Sequence, residues 1–242
     1  MKANQVLLRC TLFFCLFWYF ALAHAAYPDR PIRVIVPFAP GGGTDLVART
    51  LGLTMADELH QPIIVDNKPG GSTIVGTDAL AKSTPDGYTL VVATLAHAVN
   101  PSLKAKLPYS QDKDFAPVIL VGISPNVLVV SADSPYKTFQ DFLVAAKANP
   151  GKLSYASQGG GTSAHLAGEL FNSMAGTSLV HVPYKGAGPA LTDVMGGQVD
   201  VMFATASAVG SLIEGGKLRA LAVTTLVRSS TCLLYTSDVA DE

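Results

Sequence analysis

Between Tyr27 and Arg228, runs of apolar, β-branched residues alternate with segments whose apolar positions recur every three to four residues. The runs IRVIVPF, PIIVDN and YTLVVAT predict strands, and TDLVARTLGLTMADEL and STIVGTDALAKS between them predict helices. These strands are apolar almost without interruption, the pattern of a sheet covered by helices on both faces. A proline-rich stretch follows, PYSQDKDFAPVILVGISPNVLVVSADSP, with two strand-like halves and no helix between them. The alternation then resumes: TFQDFLVAAKANPG, TSAHLAGELFNSMAG, AGPALTDVMGG and SAVGSLIEGG predict helices, and KLSYAS, SLVHVPY, QVDVMFA and KLRALAVTT predict strands. The rhythm is that of an α/β protein with mostly parallel sheets flanked by helices. The proline-rich stretch reads as the crossover between two lobes, 26–122 and 123–228.

The string GGGT occurs twice, at 41–44 in PFAPGGGTDLVART and at 159–162 in SYASQGGGTSAHLAGEL, each time between a predicted strand and a predicted helix. At the carboxyl end of a parallel strand the first-turn N–H groups of the next helix have no intrahelical partner and face the crevice. Glycine turns the backbone with positive φ and lets a ligand approach those amides closely. Such a joint is suited to an anion. Pro37 and Pro40 stiffen the first loop, and Thr44 or Asp45 is placed to cap its helix; Thr162 and Ser163 hold that place in the second, with hydroxyls able to donate to an oxyanion. If the lobes face each other, both joints open into one cleft that fits a ligand carrying one or more carboxylates, with no cofactor and no metal required. Asp45 is a fixed negative charge beside that ligand. Its expected role is to hold the loop; in contact with the ligand it would favour an amine or hydroxyl donor. Thr94 ends the strand YTLVVAT and His97 follows it, and both are candidate ligand contacts, although His97 either faces the cleft or starts a helix. Tyr184, directly after a strand, is a further candidate contact, and Lys185 beside it reads as a solvated loop lysine.

The ends of the chain differ from this body. Residues 1–25 combine Lys2 and Arg9, the apolar run TLFFCLFWYFALA and Ala23-His24-Ala25, which reads as a cleaved secretory signal peptide. The run is shorter than the roughly 20 residues of a spanning helix. Removing it takes two basic residues and no acidic one, leaving 15 basic against 18 acidic side chains, with no basic cluster of the kind that nucleic acid requires. Cys10 and Cys15 leave with it, so Cys232 has no partner for a disulfide, and an exported chain of this kind fits a bacterial periplasm. The last residues, SSTCLLYTSDVADE at 229–242, continue no element and read as foreign sequence joined to a truncated frame.

Several chemistries are disfavoured. Neither glycine loop is followed by GK[ST], and neither completes GxGxxG. The histidines show no metal-ligand spacing. GTSAH, Gly161 to His165, falls one residue short of the GxSxG elbow, because His165 stands where the second glycine belongs. A secreted serine hydrolase using Ser163 and a histidine, with His181, Asp193 and Asp200 downstream, is therefore the alternative function.

The segments RPIRVIVPFAPGGGTDLVAR, VDNKPGGSTIVGTDALAKSTPDGYTLVVAT, SYASQGGGTSAHLAGELF and VPYKGAGPALTDVMGGQVDVMF resemble, in order, the extracytoplasmic receptors of the tripartite tricarboxylate transporter family, the TctC or Bug proteins. The resemblance implies a type II periplasmic-binding-protein fold, two lobes closing on a small carboxylate, no catalysis, and a two-subunit membrane permease as partner to a monomeric receptor. It also implies that the loop Phe38, Ala39, Pro40, Gly41, Gly42, Gly43, Thr44 and Asp45, and the loop Gly159, Gly160, Gly161, Thr162 and Ser163, hold the carboxylate through amides, hydroxyls and water. Members continue for several dozen residues beyond the position of Arg228, so the first lobe is expected to lack its returning segment. A sensing role beside a membrane signalling protein shares the same fold.

Overall fold

The computed structural model describes residues 27–226; the expected leader at 1–25 and the tail at 229–242 lie outside them. The first unit runs β1 (Ile32–Val36), α1 (Gly43–Leu59), β2 (Ile63–Asn67), α2 (Ile74–Ala81) and β3 (Thr89–Val91), followed by α3 (Leu95–Leu103). Its strands form a parallel sheet in the order β2-β1-β3. The chain thus starts in the middle of the sheet, steps to one edge and crosses to the other.

The second unit repeats that path. It runs β5 (Ser154–Ser157), α5 (Ser163–Ala175), β6 (Val180–Pro183), α6 (Ala187–Met195) and β7 (Val201–Thr205), followed by α7 (Ala206–Glu214), and again the first strand lies between the second and the third. Strands β4 (Asn126–Ser131) and β8 (Leu218–Val223) extend this sheet to the order β6-β5-β7-β4-β8, and α4 (Phe139–Ala148) leads from β4 to β5. A right-handed crossover places the two helices of such a unit on opposite faces of its sheet. That explains strands that are apolar on both sides.

The larger core lies in the second unit, where Val127 to Val130 of β4 and Val201 to Ala204 of β7 are buried with Phe142 and Tyr155. The core of the first sheet is smaller, built on Val34, Val36, Phe38 and Ala48.

One reading of the sequence needs correction, and two features go beyond it. Strand β4 is the antiparallel member of an otherwise parallel sheet, running against β7 and β8. It enters from the proline-rich stretch without a crossover helix, so nothing in its connection forces it parallel. The first half of that stretch, APVILVGI, forms no strand among the described residues; Val118, Ile119 and Leu120 are 79%, 78% and 75% exposed. β propensity makes a strand only where a neighbouring edge supplies the ladder. Helix α3 realises the second alternative for His97, which lies in its first turn; its length was not evident in the pattern, because Pro101 lies inside it.

Helix α4 carries a complete capping box: Thr138 Oγ1 accepts from the Asp141 amide at 3.1 Å, and the Asp141 carboxylate accepts from the Thr138 amide at 2.9 Å. Thr138→Ala is expected to lower unfolding free energy by about 1 kcal/mol in urea titrations, without change in any ligand response.

Candidate functional site

In open α/β sheets the crevice forms outside the carboxyl ends of the strands, where the strand order reverses. In the first sheet that point is the end of β1, followed by Pro37–Gly42. In the second it is the end of β5, followed by Gln158–Thr162. Each GGGT therefore marks the switch point of its own sheet, and the two are folded around one cavity of about 70 Å³.

The wall of this cavity is made of helix beginnings. Helix α1 contributes Gly43, Thr44 and Asp45 with its N-cap Gly42 and the preceding Phe38; α3 contributes its N-cap Thr94 and Leu95; α5 contributes Ser163 with its N-cap Thr162 and Gln158; α6 contributes Ala187; α7 contributes its N-cap Thr205. None of these five helices has a side-chain bond capping its first turn, whereas α4, which begins elsewhere, is fully capped. Helix α2 also lacks such a bond; its start lies behind the wall, where Ser72 meets Gly159 and Gly160. A helix N-terminus carries about half an elementary positive charge. Five of them around one small space make it strongly attractive to an anion, although no lysine or arginine lines it.

Asp45 is buried on that wall, and its carboxylate is fully engaged in the loop. It accepts from the Gly41 amide at 3.1 Å, from Asn67 Nδ2 at 2.9 Å and from Arg49 Nε at 3.1 Å. Burial alone would raise its pKa; the bonds from Arg49, Asn67 and Gly41 outweigh burial and hold the carboxyl below the ordinary aspartate value. Of the residues expected to cap, Thr162 stands at an N-cap but its side chain makes no bond to the first turn, and Thr44, Asp45 and Ser163 are not caps. The cap of α1 is Gly42; Thr162 Oγ1 donates back to the Gly159 carbonyl at 2.7 Å, and Ser163 Oγ donates to Asn126 Oδ1 at 3.2 Å. Glycine and threonine in extended conformation start these helices and leave the amides of their first turns clear.

Of the sixteen residues expected at the site, Phe38, Gly42, Gly43, Thr44, Asp45, Thr94, Thr162 and Ser163 line the cavity. Ala39 and Pro40 instead join the two units: the Ala39 amide donates to the Lys185 carbonyl at 2.8 Å, and Pro40 touches Gly188. Gly41 is tied to Asp45, and Gly159, Gly160 and Gly161 shape the turn behind Thr162. His97 sits in the first turn of α3, its amide bonded to the Thr94 carbonyl, with its ring stacked on Tyr109 and edge-on to Phe115. Burial there lowers its pKa. Tyr184 donates to Asp193 at 2.5 Å, and burial followed by that carboxylate pushes its hydroxyl up to about 12. Neither ring lies on the wall.

Leu95, Gln158, Ala187 and Thr205 line the cavity without having been expected. A signal for Thr205 was present: MFAT at 202–205 ends β7 as VVAT at 91–94 follows β3, so Thr205 is the counterpart of Thr94 in the repeated unit.

The model of the tripartite tricarboxylate transporter family receptor, TctC, matches residues 47–233. The chain belongs to this family. Among similar sequences, the UPF0065 protein in the tcbD-tcbE intergenic region of Pseudomonas sp. (strain P51) is 42% identical over 203 residues, which cover 84% of this chain and 60% of the relative. The TctC-family chain thus spans about 60% of the length of that curated relative. Among solved structures, one described as a periplasmic transporter superposes with a TM-score of 0.81 at 46% identity, over 85% of this chain and 69% of its own. R. palustris Rpa4515 with adipate superposes at 0.80 with 35% identity, over 84% and 68%. The architecture expected from the sequence, helix-flanked α/β sheets of the periplasmic-binding-protein kind, is the one these proteins share. The description of the family is that of a receptor, and the hydroxyl of Ser163 is bonded to an asparagine.

Proposed function

We propose that this TctC-family chain is a periplasmic receptor that captures a small carboxylate in the cavity between its two sheets and delivers it to a two-subunit membrane permease. The observation that carries this reading is the convergence of five uncapped helix starts on one cavity that contains no basic side chain. Unpaired first-turn amides left without caps are costly unless water or a ligand satisfies them, and a carboxylate satisfies several at once. Charge-assisted bonds of roughly 1.5–3 kcal/mol each, less the cost of association, reach the ~8 kcal/mol of micromolar binding. The adipate held by Rpa4515 supports the ligand class, and the family description supports the permease. The candidate contacts are the sixteen residues expected from the sequence, with Leu95, Gln158, Ala187 and Thr205 added from the cavity wall.

Titration calorimetry and thermal shift with succinate, glutarate and adipate test the reading. Saturable binding is expected, with stabilisation of about 2.7 kcal/mol at a hundredfold excess over Kd. No heat and no shift with any acid of the series removes it. Hydrolysis of a simple ester that disappears in Ser163→Ala would restore the hydrolase alternative.

A further inference from the structure

The turn that carries the second glycine triplet is held from behind by two histidines. His165 Nδ1 accepts the Gly161 amide at 3.1 Å, at a glycine whose φ is +77°. Ser157 Oγ accepts the Gly159 amide at 3.1 Å and lies 2.6 Å from His181 Nε2. The two imidazoles face each other with centroids 4.3 Å apart, and Tyr155 stacks on His181 at 4.9 Å. Gly159 and Gly161 are thus each tied to a histidine, the first through Ser157 and the second directly.

We propose that His165 is a positioning residue for the anion-binding turn: its unprotonated Nδ1 holds the Gly161 amide and so aims the first-turn amides of α5, beginning at Ser163, into the cavity. This inference rests on the receptor reading and assigns to one ring the shape of half the site. A nitrogen that accepts an N–H carries no proton, and an imidazolium has two donors and no acceptor. The groups around the pair are Tyr155 on β5, His181 on β6 and Glu169 on α5, which accepts from the Tyr155 hydroxyl. Burial first, and then His165, lower the pKa of His181 to about 4, against an opposing pull from Glu169. From the first unit, the uncharged side chains of Val99, Asn100 and Leu103 on α3 approach Gly161.

Two variants separate positioning from general stability. His165→Asn keeps an acceptor near the place of Nδ1 that does not titrate, and His165→Leu removes it. Adipate and succinate titrations at about pH 7.5 compare the variants with the parent. The leucine variant is expected to bind about tenfold more weakly, the worth of one net hydrogen bond, and the asparagine variant within about threefold of the parent. Equal affinity of the leucine variant and the parent, or equal losses in the leucine and asparagine variants, overturns the proposal. If the parent binds neither acid, the receptor reading fails separately, and hydrogen exchange of the Gly161 amide in ligand-free protein decides the positioning. Faster exchange in the leucine variant with protection kept in the asparagine variant supports it, and unchanged exchange in the leucine variant overturns it.

Discussion

Gly188→Ala is expected to weaken carboxylate binding by roughly thirty- to one-hundred-and-fiftyfold, the effect of about 2–3 kcal/mol of overpacking, while leaving the second sheet folded. A β-carbon at position 188 would stand 2.4 Å from the Pro40 carbonyl oxygen. That atom is backbone and has no rotamer by which to yield. The surrounding contacts are equally close: a β-carbon on Gly42 would meet Ala187 Cβ at 3.1 Å, and the Ala39 amide already donates to the Lys185 carbonyl. The loop after β1 cannot retreat locally, since Gly41 is tied to Asp45 and Asp45 in turn to Arg49 and Asn67. The strain is relieved by moving the two units apart, which takes the helix starts of one half away from those of the other. Helix α6 itself survives, because Ala190, Leu191 and Val194 are buried in the core of the second sheet. Calorimetry with adipate gives the affinity, and small-angle scattering of the ligand-free protein gives the opening as a larger radius of gyration. Wild-type affinity in the alanine variant would show that the Pro40–Gly188 contact is not needed for the binding-competent form.

The largest loss of stability is expected from Gly168→Ala. A β-carbon there would lie 2.2 Å from Tyr155 Cε2 and 2.6 Å from Cδ2 and Cζ. The ring is fully buried, stacked on His181, and its hydroxyl is bonded to Glu169, one residue along the same helix. It has no free direction in which to move. Overpacking of this severity costs about 3 kcal/mol, which for a chain of this size lowers Tm by roughly 6–12 °C. Scanning calorimetry measures it. A shift of only a degree or two would mean that α5 stands off from β5 in solution.

These two glycines also show which parts of the protein are legible in the sequence. Neither belongs to GGGT, and neither draws notice as a letter: Gly168 is one residue inside a helical pattern, and Gly188 follows the start of another. What makes them intolerant lies far away along the chain, an aromatic ring on β5 for one and a carbonyl on the loop after β1 for the other. The site divides in the same way. Thr44, Thr94, Thr162 and Ser163 could be placed from their positions in the joints between a strand and the next helix. Thr205 was signalled by the repeat of VVAT in MFAT. His97 and Tyr184 occupy equivalent strand-end positions, yet their rings turn into local packing with Phe115 and Asp193, because a partner was close enough to hold them.

The sequence by itself determined the order of strands and helices, the two glycine joints, and the apolar character of strands covered on both faces. Each of these follows from side-chain periodicity and backbone freedom within a few residues. Only the tertiary structure decided that β4 runs against its neighbours, that APVILVGI stays unpaired among the described residues, and that five helix starts meet at one cavity. Those outcomes depend on which edge or loop is presented across the gap between two sheets, and that is set by the packing of whole elements, which no short window of residues contains.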